Sequence, residues 1–323
     1  MTRILTGIQS TGVPHLGNLL GAIVPAIKLA NNSENESFLF IANLHSLTSI
    51  KDGQTLSNNT YGVAAAWLAF GLNPEKTVFY RQSDVPETTE LAWFLMCHFQ
   101  YQRLTLAHSF KDKAGRTNDI NAGLFNYPML MAADILLYDA DEVPVGKDQM
   151  QHLEMTRDVA QKLNTSVGKD VLVLPEAKIE ESTKLIPGTD GGKMSKSRDN
   201  FINIFLPEKA LRKQVMKIET DSTPMEDPKD PETCNVFALY KLLGDEEQIK
   251  ALGDQYRAGN FGYGHAKQAL FELIIEKFKD QREKFNYFME NKDEVDSILS
   301  QGAEKARKVA HQTLYRVRRE LGY

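Results

Sequence analysis

The sequence predicts an α/β protein in which a parallel sheet with crossover helices is followed by an all-helical domain. Over residues 1–192, short apolar runs alternate with helical segments of about 12 to 16 residues, an order typical of parallel sheets. Between residues 207 and 323 the pattern is helical throughout. The length of 323 residues agrees with about two domains.

The individual elements follow from apolar periodicity. Buried strands are predicted at 4–8, 37–43, 76–81 and 142–146, and crossover helices at 17–29, 56–70 and 149–163. Two amphipathic stripes follow near the C-terminus: Ala266, Leu270, Leu273, Ile274, Phe278, Phe285 and Phe288, then Ala303, Ala306, Ala310, Leu314, Val317 and Leu321. We expect a first domain at 1–192, a linker at 193–206 and a helical domain at 207–323, whose last helix can pack back on the first.

The composition excludes several protein classes. Hydrophobic residues make up 42% and charged residues 25% of the chain, as in ordinary globular proteins. The longest apolar run, at 63–72, is about half of what a bilayer-spanning helix needs. The N-terminus enters a strand-like segment at once, so no signal peptide is expected. Two cysteines are too few for a disulfide framework, which favours a reducing, cytoplasmic location.

The net charge of −5 does not indicate a nucleic-acid binder, but the charge is unevenly distributed. Residues 303–323 hold six basic side chains against two acidic ones. This basic tail either docks an anionic partner or forms a solvated helix face.

The first candidate site is the turn 7–18, between the first predicted strand and the first predicted helix. It reads Gly-Ile-Gln-Ser-Thr-Gly-Val-Pro-His-Leu-Gly-Asn. Ligands of open α/β sheets bind where strands end and helices begin, and free N–H groups there favour phosphate. Gly12 and Gly17 allow close approach, while His15 and Asn18 can face one bound group. An ordinary capped turn is the alternative.

The second candidate site is the loop Lys193-Met-Ser-Lys-Ser197, which follows Gly188, Gly191 and Gly192. Two lysines three residues apart can reach a polyphosphate, and a glycine-flanked loop can close over it. Taken alone, a flexible linker with two solvated lysines is the simpler interpretation.

Together the two segments resemble the class I aminoacyl-tRNA synthetases. His15, Leu16 and Gly17 match the family's HIGH motif, with Asn18 in place of the last histidine, and residues 193–197 match its KMSKS motif in full. Three further blocks are similar to those of tryptophanyl-tRNA synthetases: residues 7–12, 127–138 and 143–152. The likeness extends over nearly the whole chain, and Asn18 is normal in that branch.

The resemblance implies a Rossmann-like catalytic domain that activates tryptophan with ATP and charges tRNA. It implies that Lys193 and Lys196 hold pyrophosphate, assisted by Lys111 or Lys113. Magnesium is expected on the triphosphate, without a structural metal in the protein. A homodimer and a tRNA-binding helical domain are implied as well. The implied ATP contacts are Gln9, Ser10, Thr11, His15, Gly17, Asn18, Gly146, Lys147, Asp148, Leu185, Ile186, Lys193, Met194, Ser195, Lys196 and Ser197.

Asp134 is the candidate for recognising the amino acid. It is a lone carboxylate in the apolar segment 129–138, where a charge is costly unless it is paired or used. An indole N–H is a donor only and requires an acceptor. A helix residue bonded to nearby backbone is the alternative role for Asp134. The resemblance implies further tryptophan contacts at Tyr127, Met131, Val143, Val145 and Gln149, with His45 as either a contact or a packed core residue.

Three other functions compete with tryptophan activation. Tyrosine activation also suits a buried acceptor, but tyrosyl relatives usually carry Gly-Ser-Asp-Gln where this chain has Val-Gly-Lys-Asp-Gln at 145–149. Small-molecule nucleotidylyltransferases share the first motif but are typically shorter. A non-catalytic tRNA-binding paralogue would not need the two lysines of the intact 193–197 motif.

Overall fold

Five parallel strands form the central sheet of the computed structural model, which describes residues 2–32, 34–107, 120–146, 149–179 and 186–323. The strands are β1 (Thr2–Ile8), β2 (Asn35–Ile41), β3 (Val78–Arg81), β4 (Glu142–Val145) and β5 (Glu176–Ile179). Their order across the sheet is β3-β2-β1-β4-β5, and each pairing is parallel. The predicted fold class and the first four strands are confirmed.

Burial explains which strands were predictable. Phe38, Leu39, Phe40 and Ile41 of β2 are at most 7% exposed, as expected for a strand covered on both faces. Strand β5, which the sequence did not predict, is an edge strand whose residues 176–178 are exposed. An ion pair of 2.6 Å between Lys178 Nζ and Glu142 Oε2 links it to β4. Because β5 buries little apolar surface, it leaves no hydrophobic run in the sequence.

The strand order creates a switch point between β1 and β4. The chain adds β2 and β3 on one side of β1, then β4 and β5 on the other. Crossover connections therefore leave in opposite directions above the carboxyl ends of β1 and β4, which opens a crevice there.

The helices of the first part cover both faces of the sheet. They are α1 (Leu16–Asn18), α2 (Val24–Ala30), α3 (Asn43–Ser46), α4 (Gly53–Ala69), α5 (Glu87–His98), α6 (Tyr101–Leu104), α7 (Ala122–Leu136) and α8 (Met150–Val167). A π-helical turn, Leu19–Ile23, joins α1 to α2. Helix α4 buries every residue from Val63 to Ala69, since it packs between the sheet and the C-terminal helices. The three predicted crossover helices are confirmed.

The second part is helical, as predicted. It contains α9 (Glu208–Met216), α10 (Asn235–Leu243), α11 (Glu246–Ala258), α12 (Tyr263–Lys277), α13 (Lys279–Glu290) and α14 (Lys292–Glu320). One buried apolar cluster runs from Leu16 in α1 through Trp67 in α4 to Leu299 in α14. Apolar contacts thus cross the predicted linker, and the domain limits 1–192, 193–206 and 207–323 stay a prediction. No helix in the described ranges is long and apolar enough to cross a membrane.

Helix α14 returns to the sheet and packs against β3. At Gly302 an added Cβ would overlap the carbonyl oxygen of Phe79, so only glycine permits this approach. Farther along, Arg307 pairs with the buried Glu87 at 2.9 Å, and Arg316 pairs with Asp139 at 2.6 Å.

These ion pairs change the interpretation of the basic tail. Arg318 also pairs with Glu90 at 3.3 Å, and Arg319 with Glu320 at 2.9 Å. The sequence predicted that these guanidinium groups face an anionic partner or solvent. In the structure they are paired with carboxylates, most of which lie on the sheet domain. Apart from Glu320, which is adjacent to Arg319, these partners lie far away in the chain, which is why the sequence alone did not reveal them.

Candidate active site

A cavity of about 410 Å³ occupies the crevice at the carboxyl ends of β1 and β4. Its floor comes from β1 and β4, and one wall comes from helix α7. The lining is mostly apolar with a few polar groups, as expected of a small-molecule site. It comprises Leu5, Thr6, Gly7, Gln9, Phe40, Ala42, His45, Tyr127, Met131, Asp134, Ile135, Val143, Pro144, Gly146 and Gln149.

Asp134 stands at this wall within a buried hydrogen-bond network. It is 2% exposed. Gln82 Nε2 donates to both carboxylate oxygens, at 2.8 and 2.9 Å, and His45 Nε2 donates to Oδ2 at 2.8 Å. The expected alternative, a bond to nearby helix backbone, is therefore wrong: the partners are side chains of α3 and of the turn after β3.

The network leaves Asp134 with unused acceptor capacity. An ionised carboxylate offers about four lone-pair sites, and three contacts from Gln82 and His45 are in place. Burial raises the pKa of Asp134 above its ordinary value, and the hydrogen bonds from His45 and Gln82 offset this only in part. Since Asp134 also lines the cavity, the arrangement suits a flat apolar ligand that carries one N–H donor.

The cavity lining contains further polar groups. Tyr127 and Gln149 both belong to it, and Tyr127 Oη lies 2.7 Å from Nε2 of His152, which is 2% exposed. His152 thereby fixes the phenol at the cavity wall. A hydroxyl and a side-chain amide at this position suit a polar group attached to the apolar ligand.

A smaller cavity of about 190 Å³ lies beside the first and shares Gln9 with it. It is lined by Ile8, Gln9, Thr11, Gly12, Pro14, Asn18 and Lys196. Gly12 has a φ of +126°, and a Cβ there would lie 3.1 Å from the Nζ of Lys196. Glycine thus lets the lysine approach the turn after β1.

Lys196 is the cation of this smaller cavity. Burial lowers its pKa from 10.5 to about 8. The pKa of His15 falls to about 4, chiefly through burial and then through the charge of Lys196. Lys196 therefore supplies the positive charge near neutral pH, and His15 is a neutral ring.

His15 orders the start of α1. Its Nδ1 accepts a hydrogen bond from the N–H of Asn18 at 3.2 Å, and Asn18 Oδ1 accepts from the N–H of His15 at 3.2 Å. His15 is 6% exposed, and the described lining of the smaller cavity includes Asn18 but not His15. His15 Nδ1 thus takes part in a reciprocal cap, and the predicted phosphate contact of His15 stays a prediction.

The loop 193–197 is folded onto this helix start. Met194 Sδ accepts the N–H of Gly17 at 3.2 Å. The buried Asn200 braces the loop: its Oδ1 accepts from Ser195 N at 2.7 Å, and its Nδ2 donates to Lys193 O at 3.0 Å. Lys193 itself is exposed, so the two lysines of the motif differ in position.

The remaining predicted residues fall into three groups. His45, Tyr127, Met131, Val143, Gln149, Gly146, Gln9, Thr11, Asn18 and Lys196 line the two cavities. Ser10, Ile186, Gly17, Met194, Ser195 and Ser197 belong to the surrounding framework. Lys111, Lys113, Lys147, Asp148, Leu185 and the side chain of Val145 lie outside the described residues.

Two framework residues make contacts within the protein, and their predicted nucleotide contacts stay predictions. Ser10 is fully buried and donates to Ser46 Oγ at 3.1 Å, so its side chain fixes the turn without lining either cavity in the described structure. Ile186 was expected in a strand beside adenine. It lies outside the strands described, and its carbonyl accepts the N–H of Met194 at 3.0 Å, which supports the 193–197 loop.

Sequence reasoning missed Gln82, His152 and Asn200. All three are at most 2% exposed and hold other site residues in place. A lone buried amide or imidazole gives no periodic or motif signal, so only tertiary contacts identify these residues.

Comparison with known proteins shows the family of the chain. Residues 1–279 match the family described as tRNA synthetases class I (W and Y). A relative from Campylobacter jejuni, named Tryptophan--tRNA ligase, is 47% identical over 320 residues and aligns with 99% of each chain. A relative of the same name from Fusobacterium nucleatum is 46% identical over 322 residues, which cover 100% of this chain and 98% of the other.

Solved structures give the same result. Tryptophanyl-tRNA synthetase from Campylobacter jejuni, complexed with ADP and tryptophan, matches with a TM-score of 0.95 at 46% identity and covers 100% of both chains. The enzyme from Mycoplasma pneumoniae matches with a TM-score of 0.77 at 31% identity, over 100% of this chain and 98% of the other. The chain therefore belongs to the class I tRNA synthetases of the W and Y family, in the branch of the tryptophan--tRNA ligases.

Proposed function

We propose that the chain activates L-tryptophan with ATP and transfers the tryptophanyl group to tRNA(Trp) in the cytoplasm. The observation that carries the proposal is Asp134, a buried carboxylate with spare acceptor capacity at the wall of an apolar cavity. An indole fits there with its N–H on Asp134. Tyr127 and Gln149 then receive the α-amino group, and Met131, Val143 and Val145 flank the ring.

The two adjoining cavities suit the two groups that react in the first step, the amino acid and the triphosphate of ATP. A tryptophan carboxylate oxygen attacks the α-phosphorus of ATP, the bond to the bridging oxygen breaks, and pyrophosphate leaves with the electron pair. Gln9 lies between the cavities, at the place where carboxylate and α-phosphate meet. In the second step a ribose hydroxyl of tRNA attacks the carbonyl carbon and AMP leaves.

The chain contributes mainly positioning and charge to this reaction. We assign Lys196, with Lys193 and a lysine at 111 or 113, to the pyrophosphate that leaves. Thr11, Gly12 and Asn18 cradle the triphosphate, and Gly146, Lys147 and Asp148 the adenosine. His15, Gly17 and Met194 hold the turn and the loop against each other.

Magnesium is expected to be bound to the triphosphate of ATP. The residues of the smaller cavity offer neutral and cationic groups, which suit phosphate oxygens. Across the described ranges, no three His, Cys, Asp or Glu side chains lie close enough together to hold a metal ion. Mg²⁺ bound to ATP would supply charge neutralisation of the phosphates.

Amino acid choice tests the proposed function directly. Pyrophosphate exchange is measured with the protein amino acids and with the tryptophan isostere in which sulfur replaces the indole N–H. The parent should activate tryptophan best and prefer it over the isostere. A hydrogen bond to a charged group contributes about 1.5 to 3 kcal/mol, which corresponds to a preference of about 10- to 150-fold.

Variants of Asp134 should remove this preference. Asp134→Leu should lose most activity on tryptophan together with the preference, whereas Asp134→Asn should retain part of both because its amide oxygen still accepts. Asp139→Asn is the matched control, since Asp139 pairs with Arg316 outside the cavity. Equal activation of both substrates by the parent, or preferred activation of tyrosine, would contradict the proposal.

The pH dependence of ATP use tests the role of Lys196. Its pKa of about 8 in the free protein means that the positive charge is lost as pH rises through about 8. The kcat/KM for ATP, which reports on the free enzyme, should therefore fall above that pH. Lys196→Arg keeps its charge and should remove this limb of the profile. Lys196→Ala should lower adenylate formation at least about 100-fold, as for loss of one oxyanion donor.

Lys193→Ala serves as the comparison because Lys193 is exposed at the other end of the same motif. Its pH profile should keep the decline above pH 8 even where its rate is reduced. A decline that survives in Lys196→Arg would assign the titrating group elsewhere.

We place a tRNA backbone contact on α9, which follows the 193–197 loop in the chain. Leu211 and Val215 of α9 are fully buried, so the helix turns its opposite face to solvent. Lys209, Arg212, Lys213 and Lys217 are exposed on that face. The ion pairs found among the described residues use other lysines, such as Lys169, Lys178 and Lys241, and Arg212 bonds to the neutral Gln268.

Salt dependence distinguishes this face from the basic tail. Replacing Lys209, Lys213 and Lys217 by Gln should flatten the dependence of log K for tRNA on log salt by about 0.7 to 0.9 per lost phosphate contact. The matched variant replaces Arg316, Arg318 and Arg319 by Gln. It should lower thermal stability but keep the slope, because those groups are paired within the protein. The reverse result would move the contact to α14.

We further propose a homodimer formed through an apolar face around α5. Trp93, Tyr101 and Leu47 are 62%, 66% and 44% exposed, more apolar surface than single exposed residues explain. Beside them lies a groove of about 390 Å³ that includes Ala92, Met96 and Leu130. Sedimentation velocity should show a dimer for the parent and a monomer for Trp93→Asp; a monomeric parent would reject this interface.

A further inference from the structure

Gln82 belongs to the short 3₁₀ turn Gln82–Asp84 that follows β3. It is 1% exposed, and the described lining of the large cavity includes its neighbours Asp134 and His45 but not Gln82 itself. The side chain is thus placed to act on a substrate only through Asp134.

The orientation of the Gln82 amide is fixed by backbone. Its Oε1 accepts the N–H of Leu44 at 3.1 Å and the N–H of His45 at 3.4 Å. Because two donors meet this end of the amide, the Nε2 end must face Asp134, where it donates to both oxygens. The same two loops are also joined through Asn43 and Ser83, whose N–H donates to Asn43 Oδ1 at 3.0 Å.

This fixed orientation favours one role for the carboxyl group opposite. Gln82 offers no acceptor to a protonated Asp134, because its carbonyl is already engaged and its NH₂ can only donate, which leaves only His45 Nε2 beside Oδ2 to accept an O–H. An ionised Asp134 satisfies that NH₂ with both oxygens. Gln82 therefore favours the form of Asp134 that accepts hydrogen bonds.

We propose that Gln82 is a specificity-determining positioning residue, which holds Asp134 as an acceptor for the ring N–H of tryptophan. The inference rests on the proposed tryptophan activation and adds a residue that touches neither substrate. A competing view is that Gln82 merely ties α3 to the turn after β3. The two views differ in substrate preference and in its pH dependence.

Two substitutions should respond to pH in opposite directions. In Gln82→Met the carboxylate loses a donor, so burial raises the pKa of Asp134 further and tryptophan preference is lost as pH falls. In Gln82→Glu a protonated Glu can still donate one hydrogen bond to Asp134. Ionisation of that Glu replaces the donor by a second negative charge, so the preference is lost as pH rises.

The experiment measures the ratio of kcat/KM for tryptophan to that for its sulfur isostere by pyrophosphate exchange between about pH 5.5 and 8.5. The parent profile is the baseline for both variants, since His45 is bonded to the same carboxylate in all three proteins. At its unfavourable pH each variant should show a ratio about 10- to 150-fold below the parent ratio, the range expected for one hydrogen bond to a charged group. KM for ATP should change little.

Asn164→Leu is the matched control. Asn164 is a buried amide that likewise accepts two backbone N–H groups, those of Val171 at 3.0 Å and Leu172 at 2.9 Å, but it lies outside both cavity linings in the described structure. It should lower the denaturation midpoint and leave the substrate ratio unchanged. If Gln82→Met does not fold, Gln82→Glu still provides the test, because its substrate ratio at low pH is compared with its own ratio at high pH.

Two outcomes are decisive. Substrate ratios in both Gln82 variants that equal the parent ratio at every pH would overturn the inference and leave the proposed function intact. A parent that fails to prefer tryptophan would instead remove the proposed function. Opposite pH slopes in the two variants support the positioning role, since a purely structural tie would lower stability without inverting the slope.

Discussion

Burying a carboxylate in an apolar helix costs free energy of folding, and the site supplies hydrogen bonds that offset this cost for Asp134. The Asp134 side chain lies in α7 at 2% exposure, and it is bonded to His45 of α3 and to Gln82 of the turn after β3. Because α3 follows β2 and the turn follows β3, the parallel sheet brings both to the carboxyl edge where α7 crosses. The acceptor capacity left over is what a ring N–H can use. Fold and amino acid recognition thus depend on the same polar cluster.

The smaller cavity also holds a partly buried charge, here the positive charge of Lys196. Lys196 is half-buried against the turn after β1, where Gly12 lets it approach. The cap between His15 and Asn18 and the contact of Met194 with Gly17 keep turn and loop together. A lysine with a pKa near 8 is close to losing its charge, and bound phosphate would restore it. In the proposed function, both the amino acid site and the phosphate site use a partly desolvated charge whose partner is the substrate.

Sequence reasoning recovered the elements with local signals and missed those defined by distant partners. Apolar runs predicted β1 to β4, and a lone acid in an apolar segment identified Asp134. Strand β5 was not predicted because its residues 176–178 are exposed at the sheet edge and form no apolar run. Gln82 was not predicted because its role depends on Asp134, 52 positions away. The ion pair between Arg316 and Asp139 was not predicted because 177 positions separate the two residues. The sequence shows which residues are charged and which motifs are present, but it does not show which charged residues pair in the folded protein.

The central claim is that the ring N–H of bound tryptophan donates to an ionised Asp134. The most direct test is the ¹H–¹⁵N spectrum of tryptophan labelled at the indole nitrogen and bound to the full chain. A hydrogen bond to a carboxylate deshields the proton, so its resonance should move downfield from free tryptophan and exchange slowly with water. In Asp134→Leu the bound ligand should lose that shift. A bound indole resonance that matches free tryptophan in the parent would contradict the account.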